Sequence, residues 1–188
     1  MIHRIILFRG MNTGGVRAPV GEQRAMAEEM GLKNPRTLQA SGNLVVESGK
    51  ATAALETDIE REMETACAAA FGKPTEIVVK TADEWRALLA ANPFSKQAGT
   101  APARVLVWAM REALPDAGLD QLRRRASPDE TVVRTACGDI YMWFGGDIEA
   151  SKLPAGFGLK SLGAVGTNRN WNTVMKITAV LDEMEAAR

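Results

Sequence analysis

The sequence has few of the side chains on which many enzymes depend. Its single histidine, His3, stands at the start of the first predicted strand and has no recognisable partner in the sequence. A His-based triad or a zinc site with several imidazoles is therefore poorly supported. No pair of acidic residues stands at a catalytic spacing. We accordingly predict no metal and no cofactor. An enzyme with this composition would depend on Arg, Lys, Ser and backbone donors.

The sequence also lacks the signals of export and of membrane insertion. No apolar run approaches the ~20 residues that cross a bilayer. The apolar stretch that ends at Arg9 is too short for a signal peptide, and no cleavage site follows it. The two cysteines, Cys67 and Cys137, have no paired spacing, which favours a reducing compartment. These absences predict a soluble, cytoplasmic protein with no membrane partner, and they leave its oligomeric state open.

An excess of charge of either sign is absent as well. The chain carries 23 basic and 23 acidic residues, so its formal net charge is zero. Proteins that grip duplex DNA usually carry a positive excess, because phosphate contacts dominate their affinity. Neutrality therefore argues against nucleic acid as a partner. With 46% hydrophobic and 24% charged residues, the 188-residue chain has an ordinary globular composition.

Apolar periodicity predicts a ferredoxin-like first half. The run at 5–8 reads as a strand buried on both faces. Segments 37–40 and 44–46 read as a hairpin, and 76–80 as a further strand. Two helices separate these strands, one of them with an apolar residue at every fourth position, and they complete the order β-α-β-β-α-β.

The second half repeats part of this pattern. Segment 104–108 resembles the first strand, and residues 136–140 match 40–44 in type and order. The match predicts an internal duplication, with a chance similarity as the alternative because the segment is short. We therefore predict an α+β fold of two ferredoxin-like, βαββ-type halves, with antiparallel or mixed sheets covered by helices. The halves are 1–92 and 93–188, and the second ends in a helix.

A glycine-rich loop follows the first strand and precedes a helix, and it is a candidate anion site. Successive backbone N–H groups in such a loop can turn toward an anion. The loop lacks the Lys-Ser/Thr ending of a P-loop. Its alternative role is a plain connection that needs positive φ at a glycine. The candidate ligand-binding residues here are Arg9, Gly10, Asn12, Gly14 and Gly15.

Two further polar segments are candidates. Ser41, Gly42 and Asn43 fit the turn of their hairpin, and turn formation alone is the competing explanation. Segment 167–173 is the more unusual, because it places three asparagines, an arginine and a tryptophan within five positions: Asn168, Arg169, Asn170, Trp171 and Asn172.

Segment 167–173 also marks the start of the last helix. Thr167 or Asn168 is the predicted N-cap, and a helix start combines free N–H groups with a partial positive charge. With the guanidinium of Arg169, this arrangement predicts an anion or nucleotide site in which Trp171 stacks on a ring. In the alternative, the asparagines hydrogen-bond to buried backbone and Trp171 is a core anchor.

Several of these segments together resemble one family. Residues 7–15 (LFRGMNTGG) resemble the LLRGINVGG signature of the family called domain of unknown function 1697, and residues 37–45 resemble its TYIQSGNVVF motif. Residues 92–94 resemble its NPF element and residues 167–174 its T.RNWNTV motif. The resemblance runs in order along the whole chain. It implies an α+β fold with two related subdomains. It implies little about activity, because the family is named for lacking an assigned one.

Three functions remain open from the sequence. The first is binding of a small anionic ligand, nucleotide- or phosphate-like, by the candidate residues. The second is a metal-independent enzyme acting on a phosphorylated or carboxylated substrate, with Arg9 and Arg169 holding its charge. The third is binding of single-stranded nucleic acid on a sheet face, with Trp108, Tyr141 and Trp143 as stacking residues.

Overall fold

The fold is described from a computed structural model. It describes residues 1–10, 19–38, 42–49, 53–153 and 159–187, of which 53, 54, 159 and 160 are described by their backbone alone. The chain divides into two compact units, Met1–Arg86 with Lys176–Arg188, and Ala87–Met175. In the described part of the chain, no helix is long and apolar enough to cross a membrane.

The first unit contains a four-stranded sheet. Its elements are β1 (Ile2–Phe8), α1 (Val20–Glu29), β2 (Lys33–Thr37), β3 (Asn43–Ser48), α2 (Ala53–Phe71) and β4 (Ile77–Thr81). The strand order is β2-β3-β1-β4, and the three neighbouring pairs are antiparallel. This is the ferredoxin-like order expected from β-α-β-β-α-β. Apolar side chains on one face of the sheet, Ile6, Phe8, Leu44 and Val46, form one core with Met26 of α1 and Met63 of α2.

The second unit contains a sheet of the same strand order with different helices around it. Its elements are α4 (Ser95–Thr100), β5 (Val105–Met110), α5 (Asp116–Arg125), β6 (Glu130–Arg134), β7 (Ile140–Phe144) and β8 (Gly166–Asn170), preceded by α3 (Ala82–Ala90) and followed by α6 (Trp171–Ala186). The order is β6-β7-β5-β8, again with antiparallel pairs. A short 3-10 helix, Leu159–Leu162, stands between β7 and β8, where the first copy has α2. The predicted α+β fold of two similar halves is confirmed, whereas the boundary at 92/93 stays a prediction.

Strand register aligns the two copies residue by residue. Ile6 pairs with Leu44 and Val79, and Trp108 pairs with Ile140 and Asn168. These pairs equate β1 with β5, β3 with β7, and β4 with β8. A helix begins directly after β4 and after β8, so α3 and the start of α6 also correspond.

The cap of the last helix differs from the sequence prediction. The Oδ1 of Asn170 accepts a hydrogen bond from the backbone N–H of Thr173 at 3.0 Å, so Asn170 is the N-cap. Thr167 and Asn168, the predicted caps, lie inside β8, where they pair with Ala109 and Trp108. The prediction was wrong because the polar segment continues the sheet before it turns into the helix.

Candidate functional site

The predicted site residues fall into two groups, one in each unit, and each group is described by itself. In the first unit, the ends of β1 and of the β2–β3 hairpin lie together, because the Phe8 N–H donates to the Gly42 carbonyl at 2.9 Å. Gly10 and Gly42 both have positive φ, 69° and 70°, a conformation that suits glycine. Asn12, Gly14, Gly15 and Ser41 lie outside the described residues, so their predicted roles stay predictions.

Arg9 has a carboxylate partner. Its backbone N–H donates to the Glu76 carbonyl at 2.9 Å, and its Nη1 forms an ion pair with Glu76 Oε2. The side chain is partly exposed, and burial lowers the pKa of Arg9 below its ordinary value. The Glu76 carboxylate offsets the charge of Arg9, which weakens this end of β1 as a site for an anion.

Asn43 holds the hairpin. It is buried, and its Nδ2 donates to the Leu38 carbonyl at 3.3 Å, while the Leu38 N–H donates to the Asn43 carbonyl at 2.9 Å. Both bonds close the turn between β2 and β3. The geometry therefore supports the turn-forming explanation for Asn43.

Arg169 is the charged residue among the predicted site residues of the second unit. Its Nη1 donates to Thr167 Oγ1 at 2.9 Å and to the Asn168 carbonyl at 2.6 Å, and these bonds fix the guanidinium beside the strand. The residue is half-buried. Desolvation lowers the pKa of Arg169 to about 10, so the group still carries its proton at neutral pH. Its environment nevertheless favours the cation less than water does.

The start of α6 lies next to Arg169 in the chain. Asn170 is the N-cap, Trp171 is half-buried, and Asn172 is exposed. The first turn of α6, all of it described, contains no acidic residue. An α-helix leaves the N–H groups of its first turn without intrahelical acceptors, and Asn170 satisfies the one at Thr173.

At the corresponding start of α3, the carboxylate of Glu84 accepts the hydrogen bonds. Glu84 Oε2 accepts from the Thr81 N–H at 2.8 Å and from Thr81 Oγ1 at 3.0 Å, and the Glu84 N–H donates back to Thr81 Oγ1 at 3.2 Å. These three bonds form a capping box, for which the spacing of a threonine and a glutamate three residues later is typical. Register equates Thr81 with Asn170 and Glu84 with Thr173. The α6 start therefore lacks the negative charge that α3 supplies for itself.

Two of the three aromatic candidates for stacking on nucleic acid are buried. Trp108 is in the core of the second unit, and Tyr141 is fully buried, with its hydroxyl donating to the Leu88 carbonyl. Trp143 is half-buried. Bases can stack only on exposed rings, so the predicted stacking roles of Trp108 and Tyr141 were wrong.

A polar cavity in this unit was not predicted from the sequence. It measures about 390 Å³, and the basic residues Arg124, Arg125 and Lys152 line it together with Glu130 and Asp147. Among the residues that the structure describes, the three cations have no ion-pair partner. A run of basic residues at the end of α5 is its signal in the sequence.

The two carboxylates of that cavity are engaged by backbone. Glu130 Oε2 accepts from the Ser127 N–H at 2.8 Å, and Asp147 Oδ1 accepts from the Glu149 N–H at 3.0 Å. Each bond leaves less of the carboxylate charge for the neighbouring cations. The cavity is therefore a second basic surface of this unit, and variants of its residues provide a control for variants of Arg169.

Sequence reasoning also missed the surroundings of His3. Its Nε2 lies 3.5 Å from Glu47 Oε1, and its Nδ1 lies 3.9 Å from Glu185 Oε1. His3 and Glu47 are directly opposite each other on β1 and β3. This pair depends on the register between β1 and β3, which no local pattern in the sequence gives. In the described ranges, no group of three His, Cys, Asp or Glu side chains is arranged to hold a metal ion.

Comparison with known proteins places the chain in a family. The family described as "Protein of unknown function (DUF1697)" matches residues 1–141, and the chain belongs to it. The conserved bacterial protein SP0830 from Streptococcus pneumoniae has a similar structure, with a TM-score of 0.70 and 22% identity over 94% of this chain and 96% of that one. At this identity the likeness concerns the fold. No curated protein matches the chain.

Proposed function

We propose that this member of the DUF1697 family binds a small oxyanion, nucleotide- or phosphate-like, at the start of α6. The observation that carries the proposal is the contrast between the two repeated helix starts. Thr81 and Glu84 form a capping box in the first copy, whereas Asn170 and Thr173 stand there in the second, with Arg169 before them. A helix start without its own carboxylate attracts an external anion.

Arg169 suits this role because its guanidinium is desolvated and fixed. Desolvation has lowered its pKa to about 10, and an anion beside it would favour the charged form. Its bonds to Thr167 and Asn168 hold the side chain beside β8. A guanidinium presents five N–H donors in a planar fork that fits the oxygens of phosphate or carboxylate.

Trp171 extends the site toward a ring-bearing ligand. The residue is half-buried at the first position of α6, so it is in part accessible to a ligand. Stacking of a base on an aromatic ring contributes ~1–3 kcal/mol. A nucleoside monophosphate should therefore bind more tightly than inorganic phosphate.

The test is calorimetric titration of the full chain with inorganic phosphate, pyrophosphate and AMP. We expect Arg169→Gln to weaken binding about tenfold, ~1.4 kcal/mol, because a hydrogen bond to a charged group is lost. Arg124→Gln is the matched control, since it removes one cation from the basic cavity of the same unit. It should leave the affinity unchanged.

A second variant tests the contrast between the helix starts directly. Thr173→Glu places in α6 the carboxylate that α3 has at Glu84, and it should weaken phosphate binding while it stabilises the fold. The proposal fails if none of the three anions binds at millimolar concentration. It also fails if Arg124→Gln weakens binding and Arg169→Gln does not, because the anion would then occupy the basic cavity.

A further inference from the structure

The first unit contains a cavity that none of the predicted site residues lines. Its volume is about 400 Å³. The side chains around it carry both signs of charge, and the residues that line it are Glu28, Asn34, Pro35, Arg36, Glu47, Met184 and Ala187. The cavity is independent of the anion site proposed above, which belongs to the second unit.

Glu47 is a buried carboxylate at this cavity. Its side chain is 8% exposed, and its close neighbour on β1 is His3, 3% exposed, with Nε2 at 3.5 Å from Oε1. Within the described residues, the Glu47 carboxylate accepts no hydrogen bond, and His3 Nε2 has no hydrogen-bond partner. Lys33 is opposite Glu47 in the register but forms no ion pair with it in the part of the chain described. A carboxylate that is largely removed from water and receives no donor from the protein gains from a ligand that supplies one.

Arg36 provides the opposite charge on the same face. It pairs with Val45, two residues from Glu47 along β3, and diagonal neighbours of this kind lie roughly 7–8 Å apart. In the described structure the two side chains line one cavity without forming an ion pair. The carboxylate partner of Arg36 is Glu183, at 3.7 Å, and both side chains are exposed, 49% and 69%. An ion pair so exposed contributes little.

An irregularity in β2 shapes this cavity. The register with β3 shifts between Lys33 and Arg36, and Asn34 has a φ of 51°. This bulge takes Asn34 and Pro35 out of regular pairing and brings them to the cavity wall. Bulges beside a cavity re-aim side chains and expose backbone polar groups, as a site for a polar ligand requires.

We propose that this cavity binds a small zwitterion with a primary ammonium and a carboxylate, of which an α-amino acid is the simplest case. The ammonium group supplies the donors that the Glu47 carboxylate lacks. The ligand carboxylate binds the guanidinium of Arg36 at the more exposed end. Such a ligand compensates both charges at once, which neither a simple amine nor a simple carboxylate does.

The experiment is calorimetric titration of the full chain with a matched series of probes. Glycine, L-alanine, γ-aminobutyrate and 6-aminohexanoate carry both charges at increasing separation, whereas ethylammonium and acetate carry one each. We expect one or more of the zwitterions to bind at least about tenfold more tightly than either single-charge probe.

Three variants assign the two ends of the cavity. Glu47→Gln keeps the volume of the side chain and should weaken zwitterion binding at least about tenfold. Arg36→Gln changes an exposed residue, so it should fold normally; it should weaken zwitterions and leave ethylammonium unchanged. Glu62→Gln, on the exposed face of α2, is the control and should change nothing.

Each remaining outcome overturns the proposal. The proposal is contradicted if no zwitterion binds at a concentration of about 10 mM. It is also contradicted if ethylammonium binds as tightly as the zwitterions. Unchanged zwitterion affinity in Arg36→Gln would also contradict it, and this result stands even if Glu47→Gln fails to fold. Circular dichroism of each variant establishes that it is folded.

Discussion

Tyr141 is the only tyrosine of the chain, so its ionisation can be followed without interference from another phenol. The residue is fully buried, and its hydroxyl donates to the Leu88 carbonyl at 2.5 Å. Desolvation, and then the neighbouring charges of Asp139 and Cys137, raise the pKa of Tyr141 well above its ordinary value of about 10. The folded protein therefore keeps this proton at a pH where the unfolded chain has released it.

The sign and size of the resulting pH dependence follow from linkage. Above pH ~10 the unfolded state binds fewer protons than the folded state, so stability falls as pH rises. At about pH 11, one unit above the unfolded pKa, the loss is ~1.4 kcal/mol. For a chain of this size it lowers the melting temperature by roughly 3–6 °C.

The variant Tyr141→Phe isolates this contribution. It should cost ~1 kcal/mol near pH 8, where the lost hydrogen bond is its main effect. Between pH ~8 and ~11 wild type should then lose ~1.4 kcal/mol more stability than the variant, because lysines and thiols titrate in both proteins. Urea denaturation at the two pH values measures the difference.

The same tyrosine reports the result spectroscopically. In the native protein the ultraviolet absorbance of tyrosinate should stay low through pH ~10 and rise only with unfolding. A rise with a midpoint near pH ~10, while circular dichroism still reports the native fold, would refute the argument from burial. So would an equal loss of stability in wild type and Tyr141→Phe.

The remaining predictions concern two cysteines and two glycines. Burial raises the pKa of Cys67 to about 11 and Cys137 is exposed, so a disulfide reagent should label one thiol per native chain, and Cys137→Ser should abolish the labelling. At Gly118 a Cβ would lie 2.6 Å from the Leu162 carbonyl oxygen, whereas at Gly99 it would meet nothing within 4 Å. Urea denaturation should therefore show Gly118→Ala destabilised by ~1–3 kcal/mol and Gly99→Ala not destabilised; equal midpoints would contradict the close packing.

The sequence predicts the sheets well where apolar periodicity is strong. The run at 5–8 lies in β1 and segment 44–46 lies in β3, because buried strands need continuous or alternating apolar residues. The strand predicted at 37–40 was displaced, because β2 is Lys33–Thr37 and shares only Thr37 with it. Segment 166–170 shows no such pattern, and it forms β8 by pairing with β5 at the edge of the sheet. Its strand character comes from a partner distant in sequence, which local propensity does not contain.

The cavity of the first unit was beyond the reach of local patterns for a similar reason. His3 and Glu47 are distant in sequence and meet only through the β1–β3 register. The bulge at Asn34 and the contribution of Met184 from α6 arise from packing. By contrast, Arg169 and Asn170 could be singled out from sequence, because an unusual density of polar residues before a helix is a local signal.

The repeat itself shows where the copies have diverged. The registers equate His3 and Glu47 with Val105 and Trp143, which are opposite each other in the second copy. The second copy thus has an apolar pair where the first has an acid and a base. An apolar pair packs at this place without any need for charge compensation, so the fold alone does not require the charged one.

At the start of α6, the two copies share a cation and differ in a carboxylate. Lys80 and Arg169 are equivalent, so a cation before the helix belongs to both copies. The carboxylate of Glu84, which occupies the helix start in the first copy, is replaced by Thr173 in the second. The repeated cation is therefore a feature of the shared fold, and the missing carboxylate is the difference between the copies on which the proposal rests. The proposed anion site depends on this difference more than on Arg169 alone, and Thr173→Glu is the variant that separates the two contributions.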